Sequence, residues 1–510
     1  MVTIARIHDT DTLRQAARLL ERENEKLHTQ VRRLAEENSR LRGEEGSSAQ
    51  EELSYLQELL RAREATIFGE SSERRSPGNE RERPASPKHT GHGPRRQPEL
   101  PVVEAMHDLE EKECPVCGGE MEEMSGQTED SEEVTIVQRR FVLEKHRRKK
   151  YRCRCNACVV TAPGSPKLVE GGRYSPAFAV EVAASKYLDH LPLERQVRIM
   201  RREGLRVESQ TLWDQLNVLA QHLEPTYEAL GRRVLESPVI HGDETWWRLM
   251  EKKSSKRWWV WAVARDDTVF YRLAGGRGKD PARSILKGYE GIVMADGYAV
   301  YRSIRKDLSR DGPSFHLVHC WAHARRKFVE CAESFPRESE EILDLIGRLY
   351  EAETCLPRWD RSAPDDEQAQ QLAERARLRE EKSRAIVDEI RAWVYAQRPL
   401  PRSGLGKAVS YLGDHWAGLT AFLEDGRIPL DNNHAERALR GVVLGRKNHY
   451  GSRSKRGTEV AALFYTLFES AKLAGVEPKS YALRATLEAI RNPGAVTAVT
   501  RQSVVLSRGL

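Results

Sequence analysis

The sequence predicts a multidomain α/β protein, and three observations carry that expectation. At 510 residues the chain exceeds what one hydrophobic core usually organises, so several domains are expected. A leucine heptad and then a block of cysteines set the N-terminal third apart from the rest. Beyond Pro238, β-branched and aromatic runs alternate with helical patterns, as in a sheet with helices packed on it. Charged residues make up 31% and the formal net charge is +6, which permits nucleic-acid binding without demanding it. No apolar run approaches the roughly 20 residues of a membrane helix. Charges run throughout Met1 to Leu20, where a signal peptide would carry an apolar stretch. A cytoplasmic protein without a membrane partner is expected.

In residues 1–66, Leu13, Leu20, Leu27, Leu34 and Leu41 recur every seven positions, with Ala17, Asn24, Val31 and Asn38 at the other seam position. Sustained heptads with charged flanks read as a coiled coil, and a seam asparagine favours a parallel pair. The competing reading is an amphipathic helix packed on the same chain. Apolar residues elsewhere on this helix are few, which favours self-pairing into a homodimer or larger assembly. Gly43 to Ser48 breaks the pattern, and Glu51 to Thr66 reads as a second short helix. Residues 67–105 turn to Ser, Arg, Glu, Pro and Gly. Such a composition cannot bury a core and reads as a disordered linker.

Five of the eight cysteines fall between 114 and 158. In a reducing compartment that clustering reads as metal binding. Residues 106–165 are therefore a candidate zinc-ribbon-like module. Cys114 and Cys117 would supply one pair and Cys155 and Cys158 the other, four thiolates around one tetrahedral ion. Cys153 can replace Cys155, His146 is a remote alternative, and reduced structural cysteines are the plain one. Glu133 to Arg152 alternates like a ribbon hairpin and ends in Arg147, Arg148, Lys149, Lys150 and Arg152. That run is either a solvated face or a surface that follows phosphates.

Residues 166–235 read as a helical, helix-turn-helix-like DNA-binding segment. One helix starts at Ser175-Pro176 and a second covers Leu193 to Arg202. After Gly204, Ser209 would cap a third, Gln210 to Leu223. Gln210 and Thr211 would then meet base edges, although any three-helix bundle has the same pattern.

From residue 236 the period changes. Three strand-like runs (Val239–Trp247, Arg257–Val263, Thr268–Leu273), a helix and a strand over Gly291–Tyr298 carry Asp243 and Asp296. Aspartate is unfavourable inside a strand, so Asp243 is a local inconsistency of the kind function produces. Asp296 ends an apolar strand, where α/β sites collect ligands. Cys320-x-x-His323 is either core or half a zinc site, and Arg325 and Arg326 follow it. Residues 331–404, strongly charged and helical, read as an insertion between a first core part (236–330) and a second (405–450). In the second part Asn433 precedes a helix with Glu436 in its first turn and Arg437 and Arg440 beyond. Glu436 is either a capping-box residue or the third member of a carboxylate set with Asp243 and Asp296. Three such carboxylates suit two Mg²⁺ ions that clamp a phosphodiester. Glu244 and Asp431 stand beside them as substitutes. Arg446 and Lys447 add charge near the end of that helix, and residues 451–510 read as amphipathic buttressing helices.

The chain resembles the transposases of the insertion sequence 66 family, bacterial enzymes of the acidic-triad (DDE) class. The resemblance rests on Phe68 to Arg74, the Cys114/Cys117 pair followed by glycine, Lys186 to Leu193, Asp243 to Thr245 and Asp296 to Tyr298. It also rests on Cys320 to Arg326, Asp431 to Asn433 with Glu436 and Arg437, and Gly445 to Asn448. It implies a ribonuclease H-like catalytic fold interrupted by a helical insertion, with the triad roles on Asp243, Asp296 and Glu436 and zinc in the cysteine module. The Cys153-Arg-Cys155-Asn-Ala-Cys158 spacing departs from the pattern and leaves the second ligand pair open. The implied reaction is Mg²⁺-dependent cleavage at the element's ends, followed by transfer of the freed 3′-hydroxyl into target DNA on the bacterial nucleoid. Both ends must be held together, which gives the N-terminal coil a purpose, and small accessory proteins of the same element are implied partners. Arg437, Arg440, Arg446 and Lys447 would hold the DNA backbone near the metals. Two other readings share much of this sequence. One is a zinc-containing DNA-binding protein without catalysis, such as a repressor or a decayed transposase. The other is a plain nuclease that never joins ends to a target.

Overall fold

The computed structural model describes residues 141–499 apart from 153, 155–157 and 252–253. The predicted coil, the linker, Cys114, Cys117, Cys153 and Cys155 lie outside the described residues. The description opens on a small hairpin, β1 (Lys150–Arg152) paired antiparallel with β2 (Val159–Thr161). The cationic run from Arg147 to Lys150 is exposed along its first strand.

Three helices follow. In α1 (Pro176–Tyr187) proline occupies the first turn and the Ser175 hydroxyl accepts from the Phe178 amide at 3.2 Å, as the sequence predicts. The second, α2 (Leu193–Arg202), also matches expectation. The third, α3 (Ser209–Leu235), runs a dozen residues past the predicted end and passes through Pro225. A proline costs one backbone hydrogen bond and strains the preceding turn. The buried stripe of Leu216, Leu219, Leu223, Leu230 and Val234 outweighs that loss by packing the helix along the sheet. Ser209 does not cap it. Its hydroxyl donates to Glu194 Oε1 at 2.7 Å, which ties the start of α3 to α2.

The sheet has five strands: β3 (Val239–Glu251), β4 (Ser254–Arg265), β5 (Thr268–Ala274), β6 (Ile292–Ala295) and β7 (His316–His319). Their spatial order is β5-β4-β3-β6-β7. The first three form an antiparallel meander, while β3, β6 and β7 run parallel. Helices α4 (Lys279–Leu286) and α5 (Ala299–Asp311) make the crossovers. The short strand β7 was not among the predicted elements. A four-residue run has too little period to declare itself.

Alternation along β4 sorts the two layers. Val260, Ala262 and Ala264 face a core shared with α1, α3 and the C-terminal helices, while Trp261 and Val263 face α4 and α5. A separate core fills the helical unit made of α6 (Trp321–Cys331), α7 (Pro336–Thr354), α8 (Asp365–Leu378), α9 (Arg384–Ala396) and α10 (Gly404–Thr420). That core reaches from Val318 to Leu430, so it extends to both sides of the predicted insertion. At its centre the fully buried Arg379 binds both oxygens of Glu353 at 2.7 and 2.8 Å and three backbone carbonyls, those of Phe422, Asp425 and Ile428. A buried guanidinium is tolerable when its donors are satisfied in this way.

The chain then returns to the sheet with α11 (Asn433–His449), α12 (Lys455–Leu473) and α13 (Pro478–Arg491). Of these, α12 is buried almost all round. Its Ser470 and Thr466 hydroxyls accept from the Val269 and Tyr271 amides of β5 at 3.1 and 3.0 Å. An exposed sheet edge invites pairing with another chain, and here a helix covers it. No helix among the described residues is long and apolar enough to cross a membrane.

Candidate active site

Two strands and one helix bring the acidic residues together. In the parallel pair, Val239 lies beside Ile292 and His241 beside Met294. Carrying that register two residues further puts Asp296 alongside Asp243, at the carboxyl end of β6. Each aspartate accepts a local backbone bond. Asp243 Oδ1 takes the Glu244 amide at 2.8 Å, and Asp296 Oδ1 takes the Tyr298 amide at 2.9 Å.

Glu436 arrives on the first turn of α11. It is not part of a capping box. The Asn433 amide and side chain both donate to Asp431, at 3.1 and 2.7 Å. Glu436 instead faces α6, with His323 Nε2 at 3.5 Å and Arg326 Nη2 at 3.6 Å. Its Oε1 is buried without a hydrogen-bond partner. Cys320 belongs to the packing around this junction, since its buried sulfur accepts the Asn432 amide at 3.1 Å.

Asn432, fully buried, fixes the entry of α11. Its side-chain amide donates to the Gly242 carbonyl at 2.8 Å, and its oxygen lies 3.0 Å from His241 Nδ1. The residue before Asp243 and the helix that carries Glu436 are thereby joined through one side chain. The sequence suggested only a helix-starting asparagine at this point. What could have marked Asn432 was the pair of asparagines, one more than a cap needs.

The electrostatics follow from this convergence. Burial, and then the charge of Glu244, push the Asp243 carboxyl up to about 8, and Asp296 and Glu436 push in the same direction. Burial holds His323 below its ordinary value, while the charges of Asp296 and Glu436 pull the other way. His323 therefore senses two of the carboxylates and Asp243 senses both of its partners. Glu244, on the opposite face of β3, is engaged elsewhere. It accepts from Arg277 at 2.7 and 3.1 Å, and Tyr301 lies 3.4 Å away. Asp431 is occupied by Asn433. Among the described residues no group of three or more His, Cys, Asp or Glu side chains is already arranged to hold a metal ion.

The cationic residues fall into different environments. Arg326 is at the carboxylates, while Arg325 is exposed beside it and Arg437, Arg440 and Lys447 are exposed on α11. Arg446 is turned inward. It is 9% exposed and donates to the Thr245 hydroxyl and the Trp246 carbonyl, so it braces α11 on β3 rather than offering a free charge. Arg147, Arg148, Lys149 and Lys150 are exposed, and Arg148 Nε also donates to the Ala162 carbonyl at 2.6 Å. At the start of α3, Gln210 is exposed and bonded to Asp214 at 2.9 Å, while Thr211 is half-buried. Cys158 is an exposed free thiol.

Comparison with known proteins agrees with this arrangement. Residues 171–460 match the family described as "Transposase IS66 family". Residues 111–156 match the "zinc-finger binding domain of transposase IS66", a stretch that holds Cys114, Cys117, Cys153 and Cys155 and stops short of Cys158. Among curated proteins, the chain is 31% identical over 396 residues to the uncharacterized protein y4jD of Sinorhizobium fredii (strain NBRC 101917 / NGR234), covering 75% of each chain. It is 32% identical over 392 residues to y4qI of the same strain, covering 74% of this chain and 71% of that protein. The family match spans more than half of the chain, including every element that positions Asp243, Asp296 and Glu436, and the chain accordingly belongs to the IS66 family of transposases.

Proposed function

We propose that the chain is a DDE transposase that cleaves DNA at insertion-sequence ends and transfers the 3′-hydroxyl into target DNA in a Mg²⁺-dependent reaction. The observation that carries this reading is the convergence of Asp243, Asp296 and Glu436, with a buried Glu436 oxygen left unpartnered. The strand order, with three antiparallel strands continued by two parallel ones, supports a ribonuclease H-like core. The unpartnered oxygen and the mutual repulsion of the carboxylates suit a divalent cation, which prefers oxygen ligands. Two Mg²⁺ ions, held by Asp243, Asp296 and Glu436, would supply charge stabilisation at the attacking and leaving oxygens.

The protein's own contribution is placement. His323 and Arg326 orient Glu436, Asn432 holds α11 against β3, and Arg325, Arg437, Arg440 and Lys447 offer charge to the DNA backbone. In the first step a water oxygen bonds to the end phosphorus and the bond to the 3′ oxygen breaks, leaving a 3′-hydroxyl and a 5′-phosphate. In the second, that hydroxyl attacks a target phosphodiester and a target 3′-oxygen leaves. One phosphodiester replaces another, so no nucleotide cofactor is consumed. A structural zinc would be held by Cys114 and Cys117 with two of Cys153, Cys155 and Cys158. The N-terminal leucine heptads would pair two chains and so two ends, with accessory proteins of the element as further partners.

The test uses the full chain, a supercoiled plasmid carrying the element's ends, and Mg²⁺. Asp243→Asn, Asp296→Asn and Glu436→Gln should each abolish cleavage and joining while retaining end binding in a mobility-shift assay. Cleavage persisting in any of the three variants would overturn the assignment. An intact chain that binds ends yet never cuts would leave a DNA-binding protein without catalysis. Cutting without joined products would leave a nuclease.

A further inference from the structure

The Lys186 to Leu193 stretch plays no part in the carboxylate site, yet it lines the edge of a second cavity. This cavity, of about 310 Å³, opens where α1, α2 and the start of α3 meet the loop between α11 and α12. Lys186, Gln210, Trp213, Trp247 and Arg453 line it. We infer that it is a nucleotide site, seating one phosphate-bearing nucleotide of a DNA strand that continues to the carboxylate cluster. The inference rests on reading the chain as a DNA-processing enzyme and adds a binding site to it.

Charge is the first argument. Lys186 lies over the Tyr187 ring at 5.5 Å and has no ion pair among the described residues. Burial first, and the neighbouring Arg453 second, hold its ammonium down to about 8. Arg453 is exposed and likewise unpaired among the described residues. Two cations face one hollow with no counter-ion between them. The carboxylate on the lining, Glu194, accepts the Ser209 hydroxyl at 2.7 Å.

The helix ends add to this. The 27-residue α3 begins at Ser209, and the 19-residue α12 begins just after Ser454, and both residues line the cavity. Partial positive charge at two helix starts favours an anion there. The aromatic residues supply the other half of a nucleotide's chemistry. Trp247 is fully buried as a floor, its Nε1 bonded to the Ser452 hydroxyl at 3.1 Å, while half-buried Trp213 has ring surface left to stack on a base.

Position is the last argument. Trp247 lies four residues along β3 from Asp243 and on the same face, which is roughly 13 Å at about 3.3 Å per residue. A DNA strand whose phosphodiester is at the carboxylates can reach this cavity within a few nucleotides.

The experiment measures binding of fluorescein-labelled oligothymidylate to the full chain by anisotropy across a salt series, in EDTA so that catalysis plays no part. Lys186→Gln combined with Arg453→Gln should weaken binding about tenfold and lower the slope of log K against log salt by about 2, one for each phosphate contact removed. Oligothymidylate should also quench tryptophan fluorescence less in Trp213→Phe. Arg453→Gln alone, at an exposed side chain, should lower the slope by about 1, which keeps the test valid if Lys186→Gln fails to fold. Lys382→Gln, on the helical unit, should match the unaltered chain. Unchanged affinity and slope in the Arg453→Gln chain would overturn the inference. So would thymidine monophosphate binding that oligothymidylate cannot displace, which would make this a site for free nucleotides. Asp243→Asn should still bind oligothymidylate, so failure of the catalytic reading and failure of this site are told apart.

Discussion

Asp243 concentrates the site's chemistry in one side chain. Its carboxyl keeps a proton in the folded chain up to about pH 8, whereas an unfolded aspartate releases it near pH 4. Between those values the folded state binds more protons than the unfolded one, so stability falls as pH rises through that window. In EDTA, the unfolding temperature of the intact chain should therefore drop between about pH 4 and pH 8, and Asp243→Asn should flatten the drop. At pH 8, Mg²⁺ should raise the unfolding temperature of the intact chain and not that of the variant, because an ion favours the charged carboxylate. Calorimetry over a pH series reads both. A steep drop retained in Asp243→Asn would assign it to another group. Of the site residues, the two aspartates were legible because each contradicts its surroundings, one inside a strand and one closing an apolar run. Glu436 was ambiguous because its spacing from Asn433 also fits a cap, and only the contact with His323 and Arg326 decides.

At the scale of elements, α11 is the part whose placement matters most. Asn432 fastens its first turn, Arg446 braces its last, and Gly445 lets it lie close to α12. A β-carbon at Gly445 would overlap the Tyr465 hydroxyl. Gly445→Ala should cost about 1–3 kcal/mol, the usual range for overpacking, seen as a lower urea midpoint, with cleavage reduced because Glu436 moves with the helix. Asn432→Ala should cost about 1–3 kcal/mol by leaving the Gly242 carbonyl and His241 without their buried partner, and should reduce cleavage without changing end binding. Wild-type cleavage in Asn432→Ala would mean that Glu436 is positioned by other contacts. The helices were readable from caps and apolar periods, as at Ser175-Pro176. The extension of α3 through Pro225 was not, because packing on the sheet outweighs the local cost of proline.

At the scale of the whole molecule, the expected division of labour separates DNA capture from chemistry. Removing zinc with a strong chelator should weaken end binding while the circular dichroism of the sheet and helices changes little, since the described core contains no part of Cys114 or Cys117. A chain starting at residue 67 should sediment as a monomer, bind single ends and fail to join two of them. If it still paired ends, the heptads would not be the pairing device. The helical unit between β7 and α11 has its own core and its own buried Arg379 anchor, so it folds as a body that the catalytic strands and α11 bracket.

The sequence by itself determined the local features: the heptads, the cysteine pairs, the two out-of-place aspartates and the helix that carries Glu436. Each of these is written in residues close together along the chain, where period, spacing and propensity act. The tertiary structure decided which way side chains turn. It turned Arg446 inward, 201 positions from the Thr245 it binds, made Asn432 a clamp on Gly242 across 190 positions, and gathered Lys186 and Arg453 around one cavity. Contacts between distant residues depend on how the layers stack, and no local pattern encodes the stacking.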